Sequence, residues 1–323
     1  MQVTVAKTAG FCFGVRRALE LTQKSAALSP TCTLGELIHN RQVVEELAGQ
    51  GVTVIERPED APAGAAVVIR SHGVGPQVYD TLRAQGSPVI DATCPFVKRI
   101  HQIAAEVPEN GLLLLAGRRE HPEVQGILGY CRGPALVFSS AEEMQELLAF
   151  LPSDGNIPVI LAAQTTFSLR EWEKILFFAK KVCTNLKVFD TICRATIERQ
   201  SEAKQLAQSA DAMVVVGGLH SANTTALAAL CGSYCPTVQV ETADQLERHR
   251  EALRGARFIG ITAGASTPAC IIKEVQNSMS VLENNTEEMN FGELLDQYSK
   301  SIHNGEKVCL LYTSPSPRDR SLS

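Results

Sequence analysis

The sequence predicts an α/β fold built from three similar segments. Strand-like apolar runs alternate with helical patterns along the chain, which is typical of α/β proteins. Three stretches share one order: an apolar β-type segment, a tight polar turn, one cysteine and a helical pattern. They are VTVAKTAGFCFGVRRAL at 3–19, PVIDATCPFVKRI at 88–100 and KVFDTICRATIERQ at 187–200. We therefore expect three pseudo-repeated α/β domains in a trefoil ring around a common centre.

The first segment ends at Cys94. We expect a helix from Val15 to about Ala27, followed by two strands that end in polar loops. The first loop carries His39 and the second carries His72, and a third strand leads to the cysteine.

The second segment repeats this order and ends at Cys193. A helix from Val97 leads to a strand whose loop carries His121 and Glu123. The next strand ends in a loop that contains Thr165, and a further strand precedes the cysteine.

The third segment lacks a final strand and cysteine. It begins with a helix from Arg194 to about Ala207 and continues with strands that end in the loops LHSANTT and ASTP. No strand-plus-cysteine unit follows Ile272, whereas residues 1–12 form such a unit with no segment before it. We expect the N-terminal strand to cross over and complete the third domain. The expected domains are 13–94, 95–193 and 194–280, the last completed by 1–12.

The C-terminal part of the sequence changes character. Residues 281–308 read as a polar linker followed by the truncated start of a further domain. Residues 309–323 fit nothing upstream, and CLLYTSPSPRD resembles the in-frame translation of a transposon sequencing adaptor. We treat 309–323 as an adaptor-derived artefact and exclude it from the fold.

Composition limits the function classes. The chain has 323 residues, 45% hydrophobic content and a formal net charge of −5, which argues against a nucleic-acid-binding body. The N-terminus lacks signal-peptide features, and the longest apolar run is far shorter than the roughly 20 residues of a membrane span. We expect a cytoplasmic protein with no membrane partner. Its ten cysteines are then expected to be thiols or metal ligands.

Cys12, Cys94 and Cys193 occupy matching positions between a strand and a helix N-terminus. Unpaired N–H groups at such a terminus favour a thiolate, and thiolates select zinc or iron–sulfur clusters. Zinc sites more commonly show paired cysteines, so we interpret the three isolated ones as cluster ligands. Three ligands leave one iron of a four-iron cluster open to a substrate oxygen. For any single cysteine the alternative is a small buried hydrophobic residue.

Hydrogen-bond donors gather at the predicted strand ends. The three histidines there would form a donor-rich pocket with few fixed charges, suited to a diphosphate held by hydrogen bonds and, where the imidazoles are protonated, by their charge. The hydroxyl and amide donors of the same loops are Thr165, Thr166, Ser221, Asn223, Thr224, Ser266 and Thr267. Glu123 is the one acid that we place there. It is interpreted as a proton donor with a raised pKa, and the alternative is a solvated loop carboxylate.

Several motifs, in order and over roughly Val3 to Lys273, resemble the 4-hydroxy-3-methylbut-2-enyl diphosphate reductase (LytB-type) family. The motifs are GFCFGV, ELIHN, RSHGV, DATCP, HPEVQG, QTT, DTIC, SANT and GASTP. The resemblance implies that Cys12, Cys94 and Cys193 hold a [4Fe-4S] cluster whose fourth iron takes the substrate hydroxyl. It also implies a catalytic set. That set is Glu123 for proton delivery, Thr165 for contact with the substrate alcohol, and His121.

The resemblance further implies how the allylic diphosphate substrate is bound. The implied substrate contacts are His39, His72, His121, Thr165, Ser221, Ala222, Asn223 and Ser266. Ala222 departs from the family, because many relatives have a second serine there. Two electrons and two protons would remove the hydroxyl as water and give isopentenyl and dimethylallyl diphosphate. The electron donor is expected to be a ferredoxin or flavodoxin. The short 290–308 piece resembles the start of an S1-type RNA-binding repeat, so RNA is a partner only if that extension is complete.

Three other functions remain open from the residues themselves. An iron–sulfur dehydratase would use the open iron without net redox chemistry. A translation-linked RNA-binding protein would use the α/β body as a scaffold, and a structural zinc protein would use the cysteines alone.

Overall fold

The computed structural model describes residues 1–149, 157–183 and 185–284, in which strands and helices alternate. The strands are β1 (Gln2–Val5), β2 (Thr31–Leu34), β3 (Val52–Ile55), β4 (Ala66–Ile69), β5 (Val89–Asp91), β6 (Leu112–Ala116), β7 (Ala135–Phe138), β8 (Val159–Ala163), β9 (Leu186–Val188), β10 (Ala212–Val216), β11 (Thr237–Val240) and β12 (Phe258–Ala263).

The helices connect these strands in the crossover manner of parallel sheets. They are α1 (Phe13–Ala26), α2 (Arg41–Gly49), α3 (Pro76–Ala84), α4 (Pro95–Ala105), α5 (Pro122–Leu128), α6 (Ala141–Ala149), α7 (Leu169–Val182), α8 (Arg194–Ser209), α9 (Ala222–Gly232), α10 (Arg250–Leu253) and α11 (Ala269–Asn284). Among the described residues, no helix combines the length and apolar character needed to span a bilayer.

The strands form three four-stranded parallel sheets with one common strand order. The orders are β3-β2-β4-β5, β7-β6-β8-β9 and β11-β10-β12-β1. In each sheet the order is therefore second, first, third and fourth strand of the repeat. The α/β class and its threefold repetition, both predicted from the sequence, are confirmed.

The N-terminal strand completes the third sheet. Gln2–Val5 pairs in parallel with β12, from Phe258 to Ile261. The chain divides into two compact units, residues 12–201 with the first two sheets and residues 1–11 with the chain from 202 onward. The strand crossover is therefore present as expected. The boundaries of the three predicted domains stay predictions.

The sequence analysis missed one strand in each sheet. These strands, β3, β7 and β11, all lie at a sheet edge. Edge strands bury only part of their side chains, as in the buried-exposed-exposed-buried pattern of β3. The central strands β4, β6, β8 and β10 are fully buried, and their unbroken apolar runs are easily recognised.

The linker is expected from about residue 281, and helix α11 covers its first four residues because the helix ends at Asn284. The rest of the linker, the truncated S1-like start and the adaptor-derived stretch lie outside the described residues.

We expect Leu114→Ala to lower the free energy of unfolding by about 2–5 kcal/mol, because it opens a cavity in a packed core. Leu114 is fully buried in the middle of β6, whereas Leu28 is 87% exposed. Leu28→Ala is the matched control and should change the free energy by less than about 0.5 kcal/mol. Urea unfolding measures both, and equal losses would contradict the assigned core.

Candidate functional site

The first turn of α1 lies against the sulfur atoms of two cysteines. A Cβ atom built on Gly14 would lie 2.8 Å from Sγ of Cys94 and 3.9 Å from Sγ of Cys12. Cys193 is close enough for its charge to raise the pKa of Cys94. Cysteines from three separate stretches therefore meet in one region of the unit formed by residues 12–201.

Burial is the largest influence on the pKa values of two of these thiols, Cys94 and Cys193. It raises the pKa of Cys94 to about 11 and also raises that of Cys193. Hydrogen bonds from the N–H groups of Phe96 and Val97 lower the pKa of Cys94, but they do not outweigh burial. The N–H groups at the helix start thus favour the thiolate of Cys94, as expected from the sequence, but burial has the larger effect on its pKa. A thiolate here requires a nearby cation, and a coordinating metal supplies one.

Glu123 is a buried acid held by Thr165. The N–H of Thr165 donates to Oε1 at 2.6 Å, and its hydroxyl donates to Oε2 at 2.8 Å. Both bonds favour the carboxylate, but burial is the larger effect and raises the pKa of Glu123 to about 7. The side chain is 2% exposed, so the alternative of a solvated loop carboxylate is wrong.

Two of the cysteines are hydrogen-bonded to the neighbouring polar loops. The N–H of Cys193 donates to the carbonyl of Thr165 at 3.0 Å, and that of Cys94 donates to the carbonyl of Ser71 at 3.0 Å. Ser71 directly precedes His72. The same bond thus joins a cysteine to a candidate substrate loop in both sheets of this unit.

The rings of His39, His72 and His121 form a triangle. Their centroids are 5.1, 5.2 and 6.0 Å apart. One nitrogen from each ring lies within 4.8 Å of the others. The structure therefore brings together the three histidines that the sequence singled out.

These histidines are neutral rather than protonated. Burial lowers the pKa of His121 to about 3, lowers that of His72 well below its usual value, and also lowers that of His39. The positive charges of Arg70 and Arg118 act in the same direction. Of the two modes of diphosphate binding expected from the sequence, the lowered pKa values favour hydrogen bonds over imidazolium charge, and Arg70 and Arg118 supply positive charge nearby.

Sequence reasoning missed these two arginines. Arg70 directly precedes Ser71 in the RSHGV motif, and a Cβ atom on Gly35 would overlap its guanidinium group. Each arginine lies two or three residues before one of the candidate histidines, and this position in the sequence could have identified both as candidate site residues. The nearby Glu36 was also missed, with Oε2 3.6 Å from Nδ1 of His39.

The hydrogen bond at His121 indicates how the triangle can bind. Its Nδ1 accepts the N–H of Glu123 at 3.1 Å, as the cap of α5. The ring proton of a neutral His121 must then reside on Nε2, which makes that atom a donor. A metal would need a lone pair there, whereas a phosphate oxygen would accept this proton. The triangle is therefore better suited to an anion than to a metal ion.

Glycines bring the His72 loop close to helix α5. A Cβ atom on Gly129 would lie 2.8 Å from Cα of Gly75, and one on Gly73 would lie 2.5 Å from Cε1 of His101.

His101 is buried, and its ring stacks on that of Tyr130 with the centroids 4.4 Å apart. This histidine had no role in the sequence analysis. It packs between the loop that carries His72 and the helix that carries Glu123.

The other unit holds the remaining predicted contacts. Ser221 caps α9, and its hydroxyl accepts the N–H of Thr224 at 3.4 Å. Nδ2 of Asn223 is buried and has no hydrogen-bond partner among the residues that the structure describes, and Ser266 is buried after β12. Ala222 is half-buried at the first position of α9. These residues follow the carboxyl ends of β10 and β12, which are neighbours in the sheet.

The fold and the site define a class of α/β protein with three parallel sheets, in which gathered thiols lie close to a buried acid. Such a combination suits acid-assisted chemistry at a metal centre. The LytB protein family matches residues 3–280, and the chain belongs to that family. The resemblance stated from the motifs is confirmed.

Curated relatives carry one name, 4-hydroxy-3-methylbut-2-enyl diphosphate reductase. The protein of Caldanaerobacter subterraneus subsp. tengcongensis is 40% identical over 297 residues, covering 89% of this chain and 99% of the relative. That of Geobacter sulfurreducens is 41% identical over 288 residues, covering 88% and 99%. These relatives support neither the dehydratase nor the RNA-binding alternative.

Solved structures show the same likeness. A structure described as (E)-4-hydroxy-3-methyl-but-2-enyl diphosphate reductase, the terminal enzyme of the non-mevalonate pathway, is 38% identical with a TM-score of 0.61, covering 87% of this chain and 99% of that one. The Plasmodium falciparum E-1-hydroxy-2-methyl-but-2-enyl-4-diphosphate reductase is 26% identical with a TM-score of 0.80, covering 88% and 89%.

We expect the burial of Glu123 to make the free energy of unfolding depend on pH. Its pKa is raised from 4.5 to about 7 in the folded state, so the folded protein keeps a proton that the unfolded chain releases. The contribution of Glu123 to the free energy of unfolding should therefore fall as the pH rises from about 4.5 to 7, by an amount on the order of 3 kcal/mol, whereas the buried histidines contribute an opposite slope that all variants share. Glu123→Gln should remove this decline in urea unfolding. The exposed neighbour variant Glu120→Gln should retain it, and identical slopes in all three proteins would contradict the assignment.

Proposed function

We propose that this chain is a 4-hydroxy-3-methylbut-2-enyl diphosphate reductase. The reaction breaks the allylic carbon–oxygen bond with two electrons and two protons. The hydroxyl leaves as water, and the products are isopentenyl and dimethylallyl diphosphate. The proposal rests on one observation, the buried acid Glu123. This acid accepts two hydrogen bonds from Thr165, and the carbonyl of Thr165 accepts a hydrogen bond from the N–H of Cys193.

Cys12, Cys94 and Cys193 would hold a [4Fe-4S] cluster. The donor set fits such a group, because the sulfurs are gathered and residue 14 has no side chain to fill the space beside two of them. The hydroxyl of Thr196 lies 3.2 Å from Sγ of Cys193, and hydrogen bonds of this kind tune cluster potentials. When bound, the cluster supplies electrons and an iron that three protein ligands leave unsaturated.

Glu123 and Thr165 would handle protons. With a pKa of about 7, Glu123 carries a transferable proton at neutral pH, which is the usual requirement for a general acid. The hydrogen bonds from Thr165 fix the orientation of the carboxyl group. Its hydroxyl oxygen keeps a lone pair that can accept the substrate alcohol. His121, as the cap of α5, positions the turn on which Glu123 lies.

The diphosphate would be bound by hydrogen-bond donors together with nearby positive charge. Neutral His39, His72 and His121 offer ring N–H groups, and Arg70 and Arg118 supply positive charge nearby. Ser221, Ala222, Asn223 and Ser266 stay predicted substrate contacts. A ferredoxin or flavodoxin is the proposed electron donor, and the cytoplasm the proposed compartment.

We expect Cys193→Ser to lose most of its iron and acid-labile sulfide. A serine oxygen is a poor substitute for the soft thiolate that such clusters require. Iron and sulfide quantification after anaerobic purification measures this. Cys183→Ser, a change at the end of α7, is the control and should keep wild-type content. Full cluster content in the Cys193 variant would overturn the ligand assignment.

We expect Glu123→Gln to retain the cluster but to lose about 10²-fold or more in turnover, the usual scale for a lost acid–base group. The assay is anaerobic conversion of 4-hydroxy-3-methylbut-2-enyl diphosphate with reduced methyl viologen. Glu120→Gln should turn over normally. Activity without any reductant would favour a dehydratase, and near-normal turnover in the Glu123 variant would remove this residue from the mechanism.

A further inference from the structure

The first turns of α1 and α4 form a surface beside the cysteines, which we call the helix-start surface: Phe13, Arg16, Phe96, Lys98 and Arg99. Arg17 holds the two turns together, since its guanidinium donates to the carbonyls of Asp91 and Thr93 at 3.3 Å. Gly14 in the first turn of α1 also approaches Cys94 at the start of α4, so the two turns lie side by side.

Two aromatic side chains of this surface are exposed. Phe13 is 48% exposed and directly follows Cys12, while Phe96 is 44% exposed and lies two residues after Cys94. Large apolar side chains at a protein surface that also carries charge are typical of contact sites. Each of these phenylalanines lies at the start of a helix that directly follows a candidate cluster ligand.

The surface is basic within an acidic chain. The chain carries a formal net charge of −5, yet α1 and α4 have no acidic residue in their first turns. Arg16, Lys98 and Arg99 lie on these helices, and Asp91 is the carboxylate that pairs with Lys98, at 2.6 Å. The local charge is therefore opposite to that of the whole molecule.

We propose that the helix-start surface docks a small acidic electron-carrier protein. This inference rests on the proposed function, in which two electrons must enter from outside the chain. Electron transfer weakens steeply with distance, so the carrier must dock close to the cysteines. Complexes of electron carriers are small and weak, and complementary charge speeds their formation. Two exposed phenylalanines among basic residues match an acidic partner with an apolar centre.

The test measures binding and turnover separately on the cluster-loaded protein. A purified acidic bacterial ferredoxin is the probe, and its affinity is measured by anaerobic calorimetry at low and high salt. Arg99→Glu should weaken binding about tenfold or more at low salt and much less at high salt, because salt screens the interaction. Phe13→Ser should weaken binding under both conditions. Turnover with methyl viologen should stay within about twofold of wild type in both variants, because a diffusible small reductant needs no docking surface.

Lys24→Glu is the matched control, since it changes the net charge as much as Arg99→Glu does but lies in the last turn of α1, at the opposite end of that helix from the helix-start surface. It should leave ferredoxin affinity unchanged. Equal losses in Arg99→Glu and Lys24→Glu, or no loss in either, would overturn the docking proposal. Wild-type self-association that Phe13→Ser abolishes would assign the surface to a second copy and overturn it too. Absence of viologen-driven turnover in the wild type would instead count against the proposed function.

Discussion

Burial of the Glu123 carboxyl group against Thr165 is the interaction on which the rest of the site depends. An ionised carboxylate away from water and without a counter-charge is costly, so the group keeps its proton to near neutral pH. The bonds from Thr165 fix the orientation of both oxygens, and the carbonyl of the same residue receives the N–H of Cys193. One residue thereby connects the acid to a candidate metal ligand.

The common strand order explains why this connection recurs. In the first two sheets the third strand ends in a polar loop, and the fourth strand, its neighbour, leads to a cysteine. Adjacent parallel strands end at the same edge, so the N–H of the cysteine reaches the carbonyl in the neighbouring loop. This bond joins Cys94 to Ser71 and Cys193 to Thr165. The repeat thus reproduces a hydrogen bond as well as a fold.

The electrostatic character of the site follows from how tightly its parts are packed. Burial lowers the pKa values of all three rings of the histidine triangle and so favours their neutral forms. Neutral rings repel one another less than imidazolium ions would, which allows centroids only 5.1 to 6.0 Å apart. Positive charge is contributed by the guanidinium groups of Arg70 and Arg118.

The sequence by itself determined the α/β class, the threefold repeat and the pairing of the first strand with β12. It also singled out three cysteines, three histidines and Glu123 as candidate site residues. Local patterns carry this information, because buried parallel strands read as apolar runs and each key residue follows one of them. Only the tertiary structure decided the edge strands, the neutral histidines, the roles of Arg70 and Arg118, and the packing of His101. Those features depend on burial and on contacts between residues distant in sequence, which no local pattern records.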